Sequence, residues 1–197
     1  MFSKLAFFTI VLLAFAACQN MTFGGQKTVT SIQNGHITFS DGSQTDIPHY
    51  SDPEYIKYYC VRHCEKEKNS TDPDLTAEGR ARAERLGRIM DNALLNIVAV
   101  TNTKRTMQTG EAVQRWAGDP DFINFPAEML PSWLEDQFAE NRGKHIFHVG
   151  HQNTIPQMLN RLTGTLQYKN IPDQDFNHLY IVATKGFGQS EVLDLRY

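Results

Sequence analysis

The chain is short of cysteine, of cationic runs and of long apolar runs, and each shortage closes off a class of protein. Three cysteines, Cys18, Cys60 and Cys64, in 197 residues cannot build a disulfide-stapled framework. In an extended chain the Cα atoms of Cys60 and Cys64 would lie roughly 12–14 Å apart, beyond the ~7 Å that a disulfide spans. Together with His63 they lack the second ligand pair that a zinc site requires, so no metal is expected there. No Lys/Arg run exceeds two residues and the formal net charge is −3, which leaves no electrostatic footprint for DNA or RNA. No apolar stretch reaches the about 20 residues of a membrane-spanning helix. Repeats and low-complexity tracts are absent as well.

What is present is an ordinary globular composition, 41% hydrophobic and 21% charged, enough for one domain with a full core. Met1-Phe-Ser-Lys4 gives a positive start. The apolar stretch from Leu5 to Ala17 follows and leaves on small residues, the pattern of an export signal over residues 1–17. Phe15-Ala-Ala-Cys18 resembles the bacterial lipoprotein cleavage box, with Phe15 where Leu is more usual. That resemblance implies a mature chain lipidated on Cys18 and held in the cell envelope, on its periplasmic or outer-membrane face, with plain secretion as the alternative. Residues 18–53 read as a polar tether and then a β-hairpin. Thr28 to Gln33 and His36 to Ser40 flank an Asn34-Gly35 turn, and the hairpin either packs beside the main sheet or holds it off a membrane. Pro48 and Pro53 mark the boundary with a main domain over 54–197.

Within that domain three segments share one plan: a short apolar strand, a polar turn and a helical pattern. Tyr55 to Val61 runs into Arg62-His63, Asn96 to Thr101 into Thr103-Lys-Arg-Thr-Met-Gln-Thr109, and His145 to Gly150 into His151-Gln-Asn-Thr154. The expected fold is a three-layer α/β/α domain with a mostly parallel sheet, closed by an antiparallel pair over His178–Ala183 and Ser190–Leu195. In such a sheet the carboxyl ends of the strands open onto one edge where ligands bind, so Arg62, His63, Arg105 and His151 should meet. Two guanidiniums and two imidazoles suit a phosphoryl group: Arg grips its oxygens bidentately, and neutral His has a nucleophilic nitrogen. Helices are expected over Ala77–Ala93, with Arg80, Arg82, Arg85 and Arg88 on a solvated face, from Arg105 to about Trp116, from Pro131 to Asn141, and over Thr154–Thr163. Gly118 to Leu130 reads as an irregular, aromatic-rich loop that sets leaving-group selection.

Val61-Arg-His-Cys-Glu-Lys66, Asp74-Leu-Thr-Ala-Glu-Gly-Arg80, Arg105-Thr-Met-Gln-Thr109 and Val149-Gly-His-Gln-Asn-Thr-Ile-Pro156 resemble, in order, the signatures of the histidine phosphatase superfamily, also called phosphoglycerate-mutase-like. Cys64 stands where Gly or Ala is usual, a mild departure because Cys is also small. The resemblance implies that His63 attacks phosphorus and becomes a phosphohistidine that water hydrolyses, without cofactor or metal. Arg62 and Arg105 would neutralise the transition state, and His151 would donate to a phosphoryl oxygen. Asn69 and Asn153 are further candidates for phosphate contact, each also readable as a loop or capping residue. For the proton donor the candidates are Glu128 first, then Glu135, Asp136 and Asp121. The substrate is a phosphomonoester, small or macromolecular. The larger mutases of the superfamily carry more chain around the site, which favours hydrolysis here. The rival reading is a surface lipoprotein that binds phosphate or phosphoglycan without turnover. His145 and His148 share the strand leading to His151, but alternation sends them to opposite faces, against a metal cluster.

Overall fold

The computed structural model describes residues 27–68 and 70–197; the export signal, Cys18 and Asn69 lie outside the described residues. The chain first forms β1 (Val29–Gln33), β2 (His36–Phe39) and β3 (Gln44–Asp46), an antiparallel three-stranded sheet. Its turn is built on Asn34 and Gly35, whose φ angles of 50° and 84° match the left-handed geometry that an Asn-Gly hairpin needs. The expected hairpin thus gains a third strand, a three-residue polar segment too short and too exposed to carry an alternation signal. Val29, Ile32, Ile37, Phe39 and Ile47 are buried in the same cluster as Ile89 and Met90 of the first helix, so this sheet packs on the main domain.

The central element is β4 (Ile56–Arg62), buried at every position and apolar on both faces, as a strand covered on both sides must be. β5 (Ile97–Thr101), β6 (Asp121–Phe125) and β7 (His145–Gly150) run parallel to it, while β8 (His178–Thr184) and β9 (Ser190–Arg196) run antiparallel, in the order β6-β5-β7-β4-β8-β9. Alternation divides the core in two. Tyr59, Val61, Val98, Val100, Phe147 and Val149 face α1 (Ala77–Met90) and α2 (Lys104–Trp116). Tyr58, Cys60, Ala99, Ile146, Tyr180 and Val182 face α3 (Leu130–Glu140) and α4 (Thr154–Thr163). The fold is therefore three-layered α/β/α with a mixed, mostly parallel sheet. Trp133 and Leu134 anchor α3 in the second core, where a Leu-to-Ala truncation typically costs about 2–5 kcal/mol.

Three expectations change. The loop expected over residues 118–130 is instead edge strand β6 followed by a single 3₁₀ turn, Ala127–Met129. β6 pairs only with β5, between Pro120 and Pro126, and most of it is partly exposed, so its apolar residues show neither continuous nor alternating burial. α1 ends at Met90, three residues early, although Ala93 stays in the core. Nor do all its arginines face solvent: Arg82 is half-buried against Glu65.

Candidate active site

β4 ends at the sheet's carboxyl edge with Arg62, and His63 continues its pairing by donating its backbone N–H to Gly150 O at 2.9 Å. The His63 ring is 3% exposed, and its Nδ1 lies 2.7 Å from the carbonyl oxygen of Cys64. A carbonyl can only accept, so the ring proton sits on Nδ1 and Nε2 keeps its lone pair. Burial lowers the pKa of His63 to about 3, against the pull of that carbonyl; the charges of Arg62, His151 and Arg105 add to the lowering. The neutrality of His63 therefore comes first from desolvation and only then from the neighbouring charges. Cys64 is buried, donates its N–H to Thr109 Oγ1 at 3.1 Å, and has its thiol pushed up to about 12 by burial, so it is a packing residue and not a thiolate. Both Cys60 and Cys64 are free and buried.

Arg105 enters from the first turn of α2, whose start is fixed by a capping box between Thr103 and Thr106. Its Nη1 is 3.5 Å from Asp72 Oδ1 and its Nη2 is 3.5 Å from His151 Nδ1. His151 arrives from the end of β7, with its backbone N–H donating to Thr154 Oγ1 at 2.8 Å and its Nε2 2.8 Å from Thr101 Oγ1. Burial, then Arg105 and Arg62, lower its pKa to about 4. The His63 and His151 rings meet edge-on with centroids 5.5 Å apart. Arg62 is 6% exposed and donates from Nη1 to the carbonyls of Pro172, Asp173 and Asp175 at 2.8, 3.2 and 3.4 Å, with the Phe176 ring 4.3 Å from its guanidinium carbon. The Nε atoms of Arg62 and Arg105 are buried and have no hydrogen-bond partner among the described residues, which leaves two charged donors to be satisfied by an anion.

A cavity of about 730 Å³ takes in Arg62, His63, Arg105 and His151 together. Its remaining walls are Glu65, Lys66 and Lys68 after the Arg-His turn, Ala127, the Gln152–Thr154 start of α4, and Asp173, Gln174 and Phe176. The four residues expected to converge do so. Asn153 lines the cavity, is exposed and makes no side-chain cap on α4. Glu128 is exposed on the 3₁₀ turn; its neighbour Ala127 borders the cavity and Glu128 does not. His145 bonds Tyr59 Oη at 3.0 Å on one face of β7, and His148 stacks on Trp133 and Phe125 on the other. Among the described residues no group of three or more His, Cys, Asp or Glu side chains could hold a metal ion.

The 172–176 loop is the part that sequence reasoning missed. Its signal was topological: β8 runs antiparallel to β4, so the segment leading into β8 has to pass the carboxyl edge where the site lies. A second missed pair supports the Arg-His turn from beneath. Arg82 Nε lies 2.7 and 2.9 Å from the two oxygens of Glu65, and a Cβ at Gly79 would stand 2.1 Å from the Glu65 carbonyl oxygen, so only glycine lets α1 come this close.

Residues 58–124 match the Histidine phosphatase superfamily (branch 1). That match covers about a third of the chain and takes in Arg62, His63 and Arg105. Its structure resembles the protein histidine phosphatase SixA complexed with tungstate, at 15% identity over 71% of this chain and 96% of that one, with a TM-score of 0.57. It also resembles the mycobacterial glucosyl-3-phosphoglycerate phosphatase, at 10% identity over 72% and 97% of the two chains and a TM-score of 0.60. A phosphoserine phosphatase variant from Entamoeba histolytica in complex with phosphoserine matches at 15% identity over 72% and 96%, with a TM-score of 0.56. At these identities the likeness is one of fold alone. No curated protein matches the sequence.

Proposed function

We propose that the protein is a phosphomonoester hydrolase that works through a phosphohistidine on His63, outside the cytoplasm and without a cofactor. The observation that carries this reading is a buried neutral imidazole whose Nδ1–H is tied to a carbonyl, leaving Nε2 as the nucleophile, in one cavity with two guanidiniums that have unused buried donors. Nε2 of His63 attacks phosphorus and the bond to the leaving oxygen breaks. Arg62 and Arg105 hold the equatorial oxygens as charge spreads over them. Nη2 of Arg105 lies 3.5 Å from Nδ1 of His151, so the two side chains border the same part of the cavity. Water then attacks the phosphohistidine and releases phosphate. The guanidiniums supply the charge that this displacement needs. The export pattern over residues 1–17 and the lipoprotein-like box ending at Cys18 support an envelope location.

Purified protein incubated with p-nitrophenyl phosphate is expected to release phosphate, and brief incubation followed by alkaline quench should trap an acid-labile phosphoryl group on the chain. His63→Ala abolishes both signals. Phosphate bound without release by the wild type would instead support a binding module.

A further inference from the structure

We propose that Asp173 is the acid that protonates the leaving oxygen, an assignment that rests on the phosphomonoesterase reading. Among the described residues two carboxylates border the cavity, Glu65 and Asp173. Glu65 is committed elsewhere: both its oxygens accept from Arg82 Nε, and Arg82 Nη2 adds a third contact at 2.6 Å. The Asp173 carboxylate has no hydrogen bond or ion pair among the described residues. The acids on the β6–α3 side do not compete. Glu128 lies off the cavity, Glu135 pairs with Arg161, and Asp121 opens β6 at the opposite edge of the sheet.

Placement follows from the direction of the reaction. In-line displacement puts the leaving oxygen on the side of phosphorus away from Nε2. His63 is at the buried floor of the cavity, so the leaving oxygen points to the mouth, where the exposed Asp173 forms part of the wall. Its loop is held for the task. Arg62 Nη1 donates to three of its carbonyls, Tyr197 Oη donates to the Phe176 carbonyl at 2.9 Å, and His178 Nε2 and Arg196 Nη1 hold the Asp175 carboxylate at 2.9 and 3.5 Å. Burial lowers the pKa of Arg62, and the Asp173 carboxylate is the largest charge opposing that, which agrees with a side chain near the guanidinium.

The step balances. As the phosphorus–nitrogen bond to His63 forms and the phosphorus–oxygen bond breaks, the Asp173 carboxyl gives its proton to the leaving oxygen, producing an alcohol and a carboxylate. Water then attacks the phosphohistidine, the phosphorus–nitrogen bond breaks, phosphate leaves, and one proton of that water returns to Asp173.

The test compares kcat/KM, which reports phosphoryl transfer to His63, for p-nitrophenyl phosphate and glycerol phosphate. Asp173→Asn should lose at least about 100-fold on the alkyl ester, whose oxygen needs the proton, and under about tenfold on the aryl ester. Asp173→Glu should recover part of the alkyl rate. Wild-type activity with an alkyl-to-aryl ratio unchanged in Asp173→Asn overturns the assignment alone. Wild-type protein that turns over neither ester overturns the phosphatase reading and this assignment with it.

Discussion

The buried histidine that the chemistry does not use gives the sharpest stability prediction. His148 is fully buried on the α3 side of β7, with its ring centroid 5.4 Å from Trp133 and 5.8 Å from Phe125 and its Nδ1 3.2 Å from the Ala99 carbonyl. Nδ1 therefore donates, and Nε2 is buried without a partner among the described residues. Burial lowers its pKa from the ordinary 6.5 to about 4; the Ala99 carbonyl opposes the shift and His151 adds to it. Because the folded pKa is depressed, the unfolded chain takes up this proton first as pH falls. The contribution to stability is complete above pH 6.5 and is lost between there and about 4. At roughly 1.4 kcal/mol per unit the loss approaches ~3 kcal/mol at the bottom of that window and is about 2 kcal/mol by pH 5. His148→Phe keeps an aromatic ring in the stack and removes the titration. Urea unfolding at several pH values between 7.5 and 5 should then show wild-type stability falling by about 2 kcal/mol more than the variant's. His63 titrates in the same direction in both proteins, so the difference isolates position 148. Parallel stability curves would refute the reasoning, because they would mean that His148 is protonated or hydrated in the folded state.

Two further outcomes test the site and the location. Thr101→Val removes the hydroxyl 2.8 Å from His151 Nε2 inside a fully buried pocket, which should cost about 1–2 kcal/mol of transition-state stabilisation, a 5- to 30-fold drop in kcat/KM that Thr101→Ser restores. Cys18→Ser, made in the full chain, should move the protein from the detergent phase to the aqueous phase in a Triton X-114 partition of the producing bacteria; equal partitioning of the two forms would remove the lipid anchor from the account.

The site was legible where chemistry sits at strand ends. Arg62, His63 and His151 each close a strand that reads clearly from β-branched and aromatic residues, and parallel packing brings those ends together whatever the distance in sequence. Arg105 was legible because it stands just past the end of an apolar strand, where the helical pattern begins. β6 was obscured because an edge strand paired on one side needs no fully apolar face, and Phe122-Ile-Asn-Phe125 between two prolines looks like a loop. The 172–176 wall was obscured because its position is set by contacts that span more than a hundred residues, from Arg62 to backbone carbonyls, and backbone carbonyls leave no mark in a sequence.

Those carbonyl contacts also explain why position 62 calls for a guanidinium. Nη1 of Arg62 holds the loop, the Phe176 ring lies against the plane, and Nε remains a buried charged donor without a protein partner. One planar side chain thus binds the wall of the cavity with one edge and, under the proposed mechanism, holds the phosphoryl group with the rest of its fork. A lysine could do either, as a point charge, but not both at fixed relative geometry. Because Phe176 also sits 6.2 Å from the His63 ring, the same contacts that hold the 172–176 loop help to keep water from that imidazole. Under the proposed mechanism, substrate selection and the neutrality of His63 are then coupled through Arg62: loosening the loop would widen the cavity and hydrate the imidazole together, raising its pKa towards 6.5, where protonation begins to compete with attack.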